Sequence, residues 1–376
     1  MRRRSCLGRA WKFLLLALLV IALGPSIVNL PRAWAACRVW DAPEQTEPTS
    51  GDAAIQEAVR ELPDYYRPED KTYLTLPEWY IVYSTDEYGS FLREKRSSDF
   101  PYFAAVDQYW HSYREACEVV RGNYAFNSDS QFTLAFIGIS FTAENMLKGA
   151  YEKTIGRVAQ WTAPQPTEEE IYAAQVAQEY GEFMHMTPWY FFPFREKLQG
   201  LWQETSLWGP DPIRKWERKL ALTLEYGGKI LYGGFTNLGA QATYGGADVE
   251  KIYAVTTGLS EEMLSNDLEL VQAIDDRRQL IRITRFEYFS DAVPGLTERG
   301  VQFVEISGND NILFTLLGPE DADYDFEHGT YLFDLPILTE PGLTRLAVNV
   351  RVADIEAFLE ELKSQPDFQF EHMYDY

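Results

Sequence analysis

The most hydrophobic stretch of the chain lies near its start, where residues 13–23 contain no charged side chain. Basic residues precede this stretch at Arg2, Arg3, Arg4, Arg9 and Lys12. A basic flank followed by an apolar run is shared by signal peptides and signal anchors, and the basic end stays in the cytoplasm. The pattern predicts a transmembrane segment within residues 1–35, spanning the inner membrane once over residues 13–30. The bulk of the chain is then periplasmic or otherwise extracytoplasmic.

An uncleaved anchor is favoured over a cleaved signal peptide. Ala33-Trp34-Ala35 has the A-x-A form of a cleavage site, but it lies further past the apolar core than such sites usually do. The apolar character also resumes after Gly24-Pro25 and continues to about Leu30, which approaches the roughly 20 residues that a spanning helix needs. Cleavage after Ala35 stays open as the alternative.

The amphipathic pattern downstream predicts a mainly helical, aromatic-rich domain over residues 73–278, after a linker over residues 36–72 with one short helix near Ala54–Leu62. From Val106 to Val120 the apolar residues recur at helical spacing. A second helix is expected to begin at Thr167, where Glu170 completes a capping box. A third is expected near Ser260, because Leu264, Leu268, Val271 and Ile274 also follow helical spacing.

Glycine recurs every six residues at positions 227, 233, 239 and 245. Hexad repeats are used by left-handed β-helices, but so few repeats cannot bury a core. A helix of small residues packed closely against its neighbours is the preferred interpretation.

The last hundred residues alternate between strand and helix patterns, which completes an α+β fold class. Residues 279–376 are predicted to form a ferredoxin-like domain of order β-α-β-β-α-β with an insert. The predicted strands are residues 280–285, 301–306, 312–317, 346–352 and one opening at Phe368, with helices over 286–299 and 354–362. Ser307 to Asn311 form the turn between the second and third strands.

The first forty residues differ in net charge from the rest of the chain. The first forty residues contain seven basic and no acidic residues, so 27 basic and 57 acidic residues follow and give that part a net charge of −30. A body this acidic repels nucleic acid and anionic lipid headgroups, so no nucleic-acid partner is expected. The aromatic content of 15% indicates aromatic-lined cores or an exposed aromatic surface.

Cysteine and histidine are scarce. Cys6 falls on the cytoplasmic side of the predicted span, and Cys117 lies on the apolar face of its helix, where a buried thiol is expected. A Cys37–Cys117 disulfide is the less favoured alternative, open to the chain in an oxidising compartment. The four histidines do not have metal-ligand spacing, so neither a metal site nor a cofactor is expected.

Five sequence blocks are distinctive: Leu76–Ser84, Phe100–Phe103, Arg214–Arg218, Glu305–Asn309 and Glu371–Tyr376. Together they resemble an uncharacterised family of bacterial membrane-anchored envelope proteins. The resemblance extends over most of residues 73–376 and implies no activity.

Sequence signatures of common enzymes are missing: G-x-S-x-G, the P-loop and G-x-G-x-x-G do not occur. Carboxylates in apolar surroundings are the remaining catalytic candidates, namely Glu78, Glu144 and Glu225, with Glu305 inside a strand. A buried carboxyl group with a raised pKa can act as a general acid, and two such groups can form a glycosidase pair. A structural role for each is the simpler interpretation.

Aromatic residues are the candidate binding residues, with core packing as the simpler interpretation. These are Trp79, Trp110, Trp189, Tyr190 and Phe191, the last three within a cluster that ends at Phe194. The sequence therefore favours a non-enzymatic, membrane-tethered binding or assembly module for a protein or lipid partner. An envelope glycan hydrolase is the alternative. A lipid carrier is the third possibility, and it would have an apolar cavity lined by residues 189–194.

Overall fold

The computed structural model describes residues 3–38, 51–62, 64–244 and 251–376 as an α+β protein with two antiparallel sheets. The helices are α1 (Arg3–Cys37), α2 (Ala53–Val59), α3 (Asp70–Glu94), α4 (Tyr102–Val120), α5 (Ser128–Tyr151), α6 (Arg157–Gln160), α7 (Glu168–Met186), α8 (Phe194–Glu204), α9 (Pro212–Tyr244), α10 (Glu287–Thr297) and α11 (Ile355–Ser364). The strands are β1 (Lys251–Thr257), β2 (Leu268–Ala273), β3 (Arg278–Thr284), β4 (Gln302–Ile306), β5 (Asn311–Pro319), β6 (Gly329–Pro336), β7 (Leu343–Arg351) and β8 (Gln369–Tyr374).

The chain forms two compact units, each assembled from separate stretches of sequence. The helical unit contains residues 1–35, 78–111 and 132–245, and the sheet unit contains residues 36–77, 112–131 and 246–376. These limits do not coincide with the predicted boundaries at residues 72 and 278. The stretch predicted as a linker contributes α2 to the sheet unit, where Ile55 and Val59 are buried; residues 39–50 of that stretch lie outside the described part.

Helix α1 is longer than the predicted span of residues 13–30. Within the described residues it is the one helix long and apolar enough to cross a membrane, over Leu16–Cys37. The helix continues through Pro25, whose carbonyl oxygen accepts a hydrogen bond from Asn29 Nδ2 at 3.0 Å. Small side chains on one face, Ala22, Ser26 and Ala33, are buried, whereas Val20 and Ile27 are exposed. One face of α1 therefore packs on protein.

Two of the predicted helices are confirmed and one is wrong. Helix α4 contains the predicted 106–120 stripe, and α7 begins with the predicted Thr167–Glu170 capping box. The region after Ser260 is not a helix, because only a short 3-10 turn at Glu261–Met263 precedes strand β2. Strand β2 lies at the edge of its sheet and leaves Leu270 exposed. Because an edge strand is exposed, its sequence lacks the regular alternation of apolar and polar residues that would have predicted a strand.

The glycine-rich stretch is helical, as predicted, and forms most of α9. Only part of this stretch packs closely against neighbouring residues, as was predicted for all of it. A side chain at Gly233 would contact Trp189 and Tyr190, but Gly227 and Gly234 face open space. Gly245 lies outside the described residues.

The sheet unit contains the same β-β-β-α-β motif twice. Strands β1 to β4 with α10 form a sheet of order β2-β3-β1-β4, and strands β5 to β8 with α11 form one of order β6-β7-β5-β8. The bulges also coincide. The β1–β4 ladder shifts register after Val255 and the β5–β8 ladder shifts after Thr315, the matching residue of the second motif. The register therefore identifies an internal structural repeat.

The predicted ferredoxin-like domain is not confirmed, because its strands divide between two sheets. The strand and helix positions predicted after residue 279 are largely correct, but β3 and β4 belong to one sheet and β5, β7 and β8 to the other. The predicted turn exists as a tight Ser307-Gly308 turn closed by a single bridge between Ile306 and Asn309. Strands β1, β2 and β6 were not predicted. Strands β1 and β2 complete the first sheet and β6 completes the second.

One hydrophobic core joins the two repeats. It contains Ile281 and Phe289 from the first repeat and Phe314 and Phe358 from the second. Helix α10 packs on β8, and α11 packs on β4, so each helix also covers the last strand of the other repeat. Neither repeat buries its apolar face without the other.

Cys37 and Cys117 form a disulfide, which corrects the expectation of a free buried thiol at Cys117. The two cysteines are 80 residues apart, and both belong to the sheet unit. Helical periodicity places Cys117 on a buried face but does not reveal which partner meets it there. Closing a loop of this length stabilises a fold by about 4 kcal/mol in the chain-entropy model.

Replacing Cys117 with serine should therefore lower the unfolding free energy of the sheet unit by about 4 kcal/mol. Thermal unfolding of the detergent-solubilised full chain, with and without reductant, measures the loss. Cys6→Ser is the matched control and should leave the transition unchanged. Equal melting temperatures for Cys117→Ser and Cys6→Ser would contradict the stabilising role.

A balanced network of buried charge holds the helical unit together. Arg214 is fully buried, with Glu170 at 2.7 Å and Glu217 at 2.8 Å. Arg218 is buried with Glu152 at 2.6 Å. The basic members are Arg96, Arg214, Lys215, Arg218 and Lys219, and the acidic members are Glu152, Glu168, Glu169, Glu170 and Glu217. Opposite charges are needed here because an unpaired buried charge is strongly destabilising.

Glu170 and Arg218 of this network are both held in the ionised form. Burial acts to raise the pKa of Glu170, but its hydrogen bond and charge interaction with Arg214 outweigh burial and lower it. Burial acts to lower the pKa of Arg218, but Glu217 and Glu152 raise it well above its usual value. The basic stretch 214–219 is thus a structural cross-link between helices.

Glu152→Gln should destabilise the helical unit by about 3 kcal/mol, because it removes a carboxylate from a buried guanidinium. Glu118→Gln, in the sheet unit, is the control for an exposed pair: its pair with Arg121 is about half exposed, so the loss should be about 0.5 kcal/mol or less. Chemical denaturation followed by far-UV circular dichroism compares the two. A Glu152 variant as stable as the control would refute the assignment.

Candidate functional site

The helical unit contains a cleft of about 160 Å³. Helices α3, α5, α7 and α9 form its walls, together with the segment from Trp189 to Phe194. Apolar side chains of these helices meet at the cleft, which is lined mainly by aliphatic and aromatic side chains.

Aromatic rings make up much of the cleft wall. Trp189 stacks on Tyr232 with ring centroids 5.0 Å apart, and Tyr180 meets Phe194 edge-on at 5.1 Å. The Tyr232 hydroxyl is 2.6 Å from Ser140 Oγ, which links α9 to α5 at the cleft. Burial raises the pKa of Tyr180 to about 12, so its hydroxyl is neutral at physiological pH.

Two ion pairs cross the cleft between α5 and α9. Lys148 Nζ on α5 is 2.7 Å from Glu225 Oε1 on α9, and Lys229 Nζ on α9 is 2.8 Å from Glu144 Oε1 on α5. Each helix contributes one lysine and one glutamate four residues apart. Such spacing usually pairs charges within one helix, but here the pairs are exchanged between the two helices.

Aromatic rings surround both ammonium groups. Lys148 Nζ lies 4.3 Å from the centre of the Tyr88 ring, and Lys229 Nζ lies 4.9 Å from that of Tyr180. Contacts of this kind are attractive because the ring face is electron-rich. Burial acts to lower the pKa of both lysines, but Glu225 raises that of Lys148 and Glu144 raises that of Lys229.

Glu144 has the wrong protonation for a general acid. Burial acts to raise its pKa, but the charges of Lys229 and Lys148 outweigh burial and lower it. Glu144 is therefore ionised at neutral pH and has no proton to give. With both ion pairs formed, the cleft wall is electrically neutral and holds neutral phenols.

The predicted site residues divide into two groups. Glu144, Glu225 and Trp189 line the cleft together, whereas Glu78, Trp79 and Trp110 are not part of its lining. Trp79 is buried against Tyr83 and His185. Trp110 is fully buried and donates a hydrogen bond from Nε1 to Thr142 Oγ1 at 2.9 Å. Trp79 and Trp110 are thus core residues.

The other aromatic candidates lie in the 3-10 turn Trp189–Phe191, beside the cleft. Tyr190 lines a neighbouring depression of about 150 Å³ with Gly233, and Phe191 is 53% exposed. The turn therefore presents one aromatic ring to the cleft and another to the surroundings. Glu305 of the sheet unit is buried and accepts a hydrogen bond from the Tyr65 hydroxyl, which makes it structural.

Ser290, His372 and Glu287 gather in the sheet unit, but their geometry is not that of a catalytic triad. Ser290 Oγ is 2.9 Å and Glu287 Oε2 is 3.5 Å from the same nitrogen, His372 Nδ1. A triad needs the nucleophile and the carboxylate on opposite ring nitrogens. Ser290 also bonds the backbone of Met373 and is buried, so the cluster anchors α10 to β8.

Lys148, Lys229 and Tyr180 are cleft residues that sequence reasoning missed. A signal did exist for the lysines. From Leu220 to Tyr244 the only charged residues are Glu225 and Lys229, and from Ser130 to Tyr151 they are Glu144 and Lys148. When two helices with few charged residues each carry one Glu-x-x-x-Lys unit, the pattern indicates that the charges of one helix pair with those of the other.

Comparisons with protein-family models, curated proteins and solved structures found no match. Among the described residues there is also no group of three or more histidine, cysteine or acidic side chains placed to hold a metal ion.

A double-mutant cycle should reveal the exchanged pairing. Lys148→Met and Glu225→Gln should show a coupling energy of about 1 kcal/mol or more, as expected for a partly buried contact. The control cycle, Lys148→Met with Glu144→Gln, tests the pair within α5, and its coupling should be about 0.5 kcal/mol or less. Denaturant unfolding supplies all the free energies. The reverse ranking would mean that the pairs form within each helix.

Proposed function

We propose that this protein is a membrane-tethered binding module whose helical cleft holds the apolar chain of a lipid. The observation that carries the proposal is the cleft itself, an aromatic-walled space in which every lysine is already paired with a glutamate. A wall of this kind offers dispersion contacts and no net charge. It also meets the condition expected of a lipid carrier, an apolar cavity lined by Trp189 and Phe194.

The volume and the charge of the cleft limit which ligands it can hold. A cavity of about 150 Å³ lined by apolar side chains accepts a molecule as large as benzene. The present cleft, about 160 Å³, suits one ring or a short run of methylene groups. An anionic headgroup would have to displace a glutamate from its lysine, whereas an uncharged chain leaves both pairs intact. The rest of the ligand would lie outside the cleft.

The membrane placement forms part of the proposal. Helix α1 has the length and composition of a span, and basic residues precede its apolar part. The positive-inside rule then places its N-terminus in the cytoplasm and the rest of the chain in the periplasm or an equivalent compartment. The Cys37–Cys117 disulfide supports this placement independently, because disulfides persist in oxidising compartments.

Glycan hydrolysis remains the alternative, and one observation favours it: Glu144 and Glu225 line the same cleft. Against it, both carboxylates are ion-paired and the pKa of Glu144 is lowered. A glycosidase needs one protonated carboxyl group at the working pH. A binding module was also expected to assemble with a protein partner. No feature of the cleft specifically favours a protein over a lipid.

Filling the cleft should abolish lipid retention. Ser140 lines the cleft and is partly exposed, so Ser140→Trp should occupy the space without disturbing the core. Native mass spectrometry of the full chain, purified gently from its own membranes, should show bound lipid for the parent protein and at least a tenfold lower bound fraction for the variant, since tenfold corresponds to about 1.4 kcal/mol.

Leu147→Trp is the matched control, because Leu147 lies on the same helix, is exposed and does not line the cleft. It should retain lipid as the parent does. Equal lipid occupancy in Ser140→Trp and Leu147→Trp would overturn the proposal. Turnover of a glycan that is lost in Glu144→Gln, with the fold intact, would support the hydrolase instead.

A further inference from the structure

The exposed side of α9 carries a continuous apolar stripe. Its members are Ile213, Leu220, Leu224, Leu231, Phe235 and Leu238, each between 55% and 78% exposed. At about 100° per residue these positions fall within about 40° of a common line along the helix. The stripe is about 38 Å long, from the helical rise of about 1.5 Å per residue. A face of this length goes beyond the scattered apolar residues of an ordinary surface.

Charge is missing from this face over most of its length. From Leu220 to Tyr244 the only charged residues are Glu225 and Lys229, and both are held in the ion pairs of the cleft. The contrast with the rest of the chain is strong, because the full sequence has a net charge of −23. Water-facing helix surfaces ordinarily carry lysine and glutamate, so this face is not suited to water.

We infer that the α9 stripe inserts into the hydrocarbon region of the lipid bilayer. A protein partner would be met by a polar rim around the apolar contact, and the exposed face beyond Leu220 offers no charged rim. Hydrocarbon is the one partner that needs no polar complement. The acidic remainder of the chain is repelled by anionic headgroups, so the uncharged face is the one that approaches the membrane.

Two further features of the same unit agree with this assignment. The helical unit contains residues 1–35, which include most of the candidate span, so the unit that carries the stripe is also the unit tied to the bilayer. Trp161 and Trp208 of this unit are 76% and 75% exposed. Exposed tryptophan is typical of the interface between headgroups and hydrocarbon.

Two exposed aromatic residues of the cleft lining lie in the same unit as the stripe. Tyr232 follows Leu231 on α9, is 38% exposed and lines the cleft, and Phe136 on α5 is 49% exposed and lines it as well. The bilayer contact itself follows from the α9 face and holds whether or not the cleft binds lipid.

Fluorescence quenching in lipid nanodiscs tests the contact on the full chain. In a Cys6→Ser background, a bimane label on Leu231→Cys should be quenched by phosphatidylcholine with brominated chains and shielded from aqueous iodide. A label on Gln175→Cys, an exposed position of the same unit, should show the opposite pattern. Combining Leu224→Asp with a label at Phe235→Cys, about 16 Å further along the stripe, should reduce the bromolipid quenching about threefold or more, because a carboxylate is costly in hydrocarbon.

Iodide access at Leu231 without bromolipid quenching would overturn the inference. Shielding from both quenchers, with a dimer mass in native mass spectrometry, would also overturn it and assign the stripe to a second copy of the chain. Ser140→Trp should leave the bromolipid quenching unchanged. Loss of lipid from the cleft and loss of bilayer contact are therefore separate outcomes.

Discussion

The helical unit depends on the rule that charge can be buried only in opposite pairs. Arg214 and Arg218 of α9 are buried because Glu170, Glu217 and Glu152 meet them; Glu217 lies on the same helix, whereas Glu170 and Glu152 join α9 to other segments. The same rule operates between α5 and α9, where each helix supplies one lysine and one glutamate to the other. These cross-links set how the helices meet, and the cleft is the space left between them.

Neutral pairing also explains the chemical character of the cleft. Because Lys148 and Lys229 are already satisfied, the wall attracts neither anions nor cations strongly. Because Glu144 is held ionised, the wall is a poor proton donor. What remains is aromatic surface, which favours an apolar guest. The proposed lipid function and the proposed bilayer contact both involve α9, the first through a cleft whose charges are paired and the second through an exposed face without charged residues beyond Leu220.

The sheet unit is stabilised by a different principle, duplication. Each β-β-β-α-β repeat has one helix and four strands, too little to enclose a core alone, and the two repeats bury Phe289, Phe314 and Phe358 jointly. The disulfide adds a covalent restraint between segments 80 residues apart. Matching bulges after Val255 and Thr315 indicate that the repeats share a detailed strand geometry although few of their side chains agree.

The sequence by itself determined the features that depend on neighbouring residues. These include the N-terminal apolar helix, the capping box at Thr167, the amphipathic helix ending at Val120 and the approximate positions of most C-terminal strands, because capping and periodicity act over a few residues. It also singled out Glu144, Glu225 and Trp189. Only the tertiary structure decided that these three share one cleft, that the strands form two sheets, that Cys37 meets Cys117 and that the lysines pair across helices. Each of those outcomes joins residues far apart in the chain, and local patterns carry no information about which distant partner a side chain will meet.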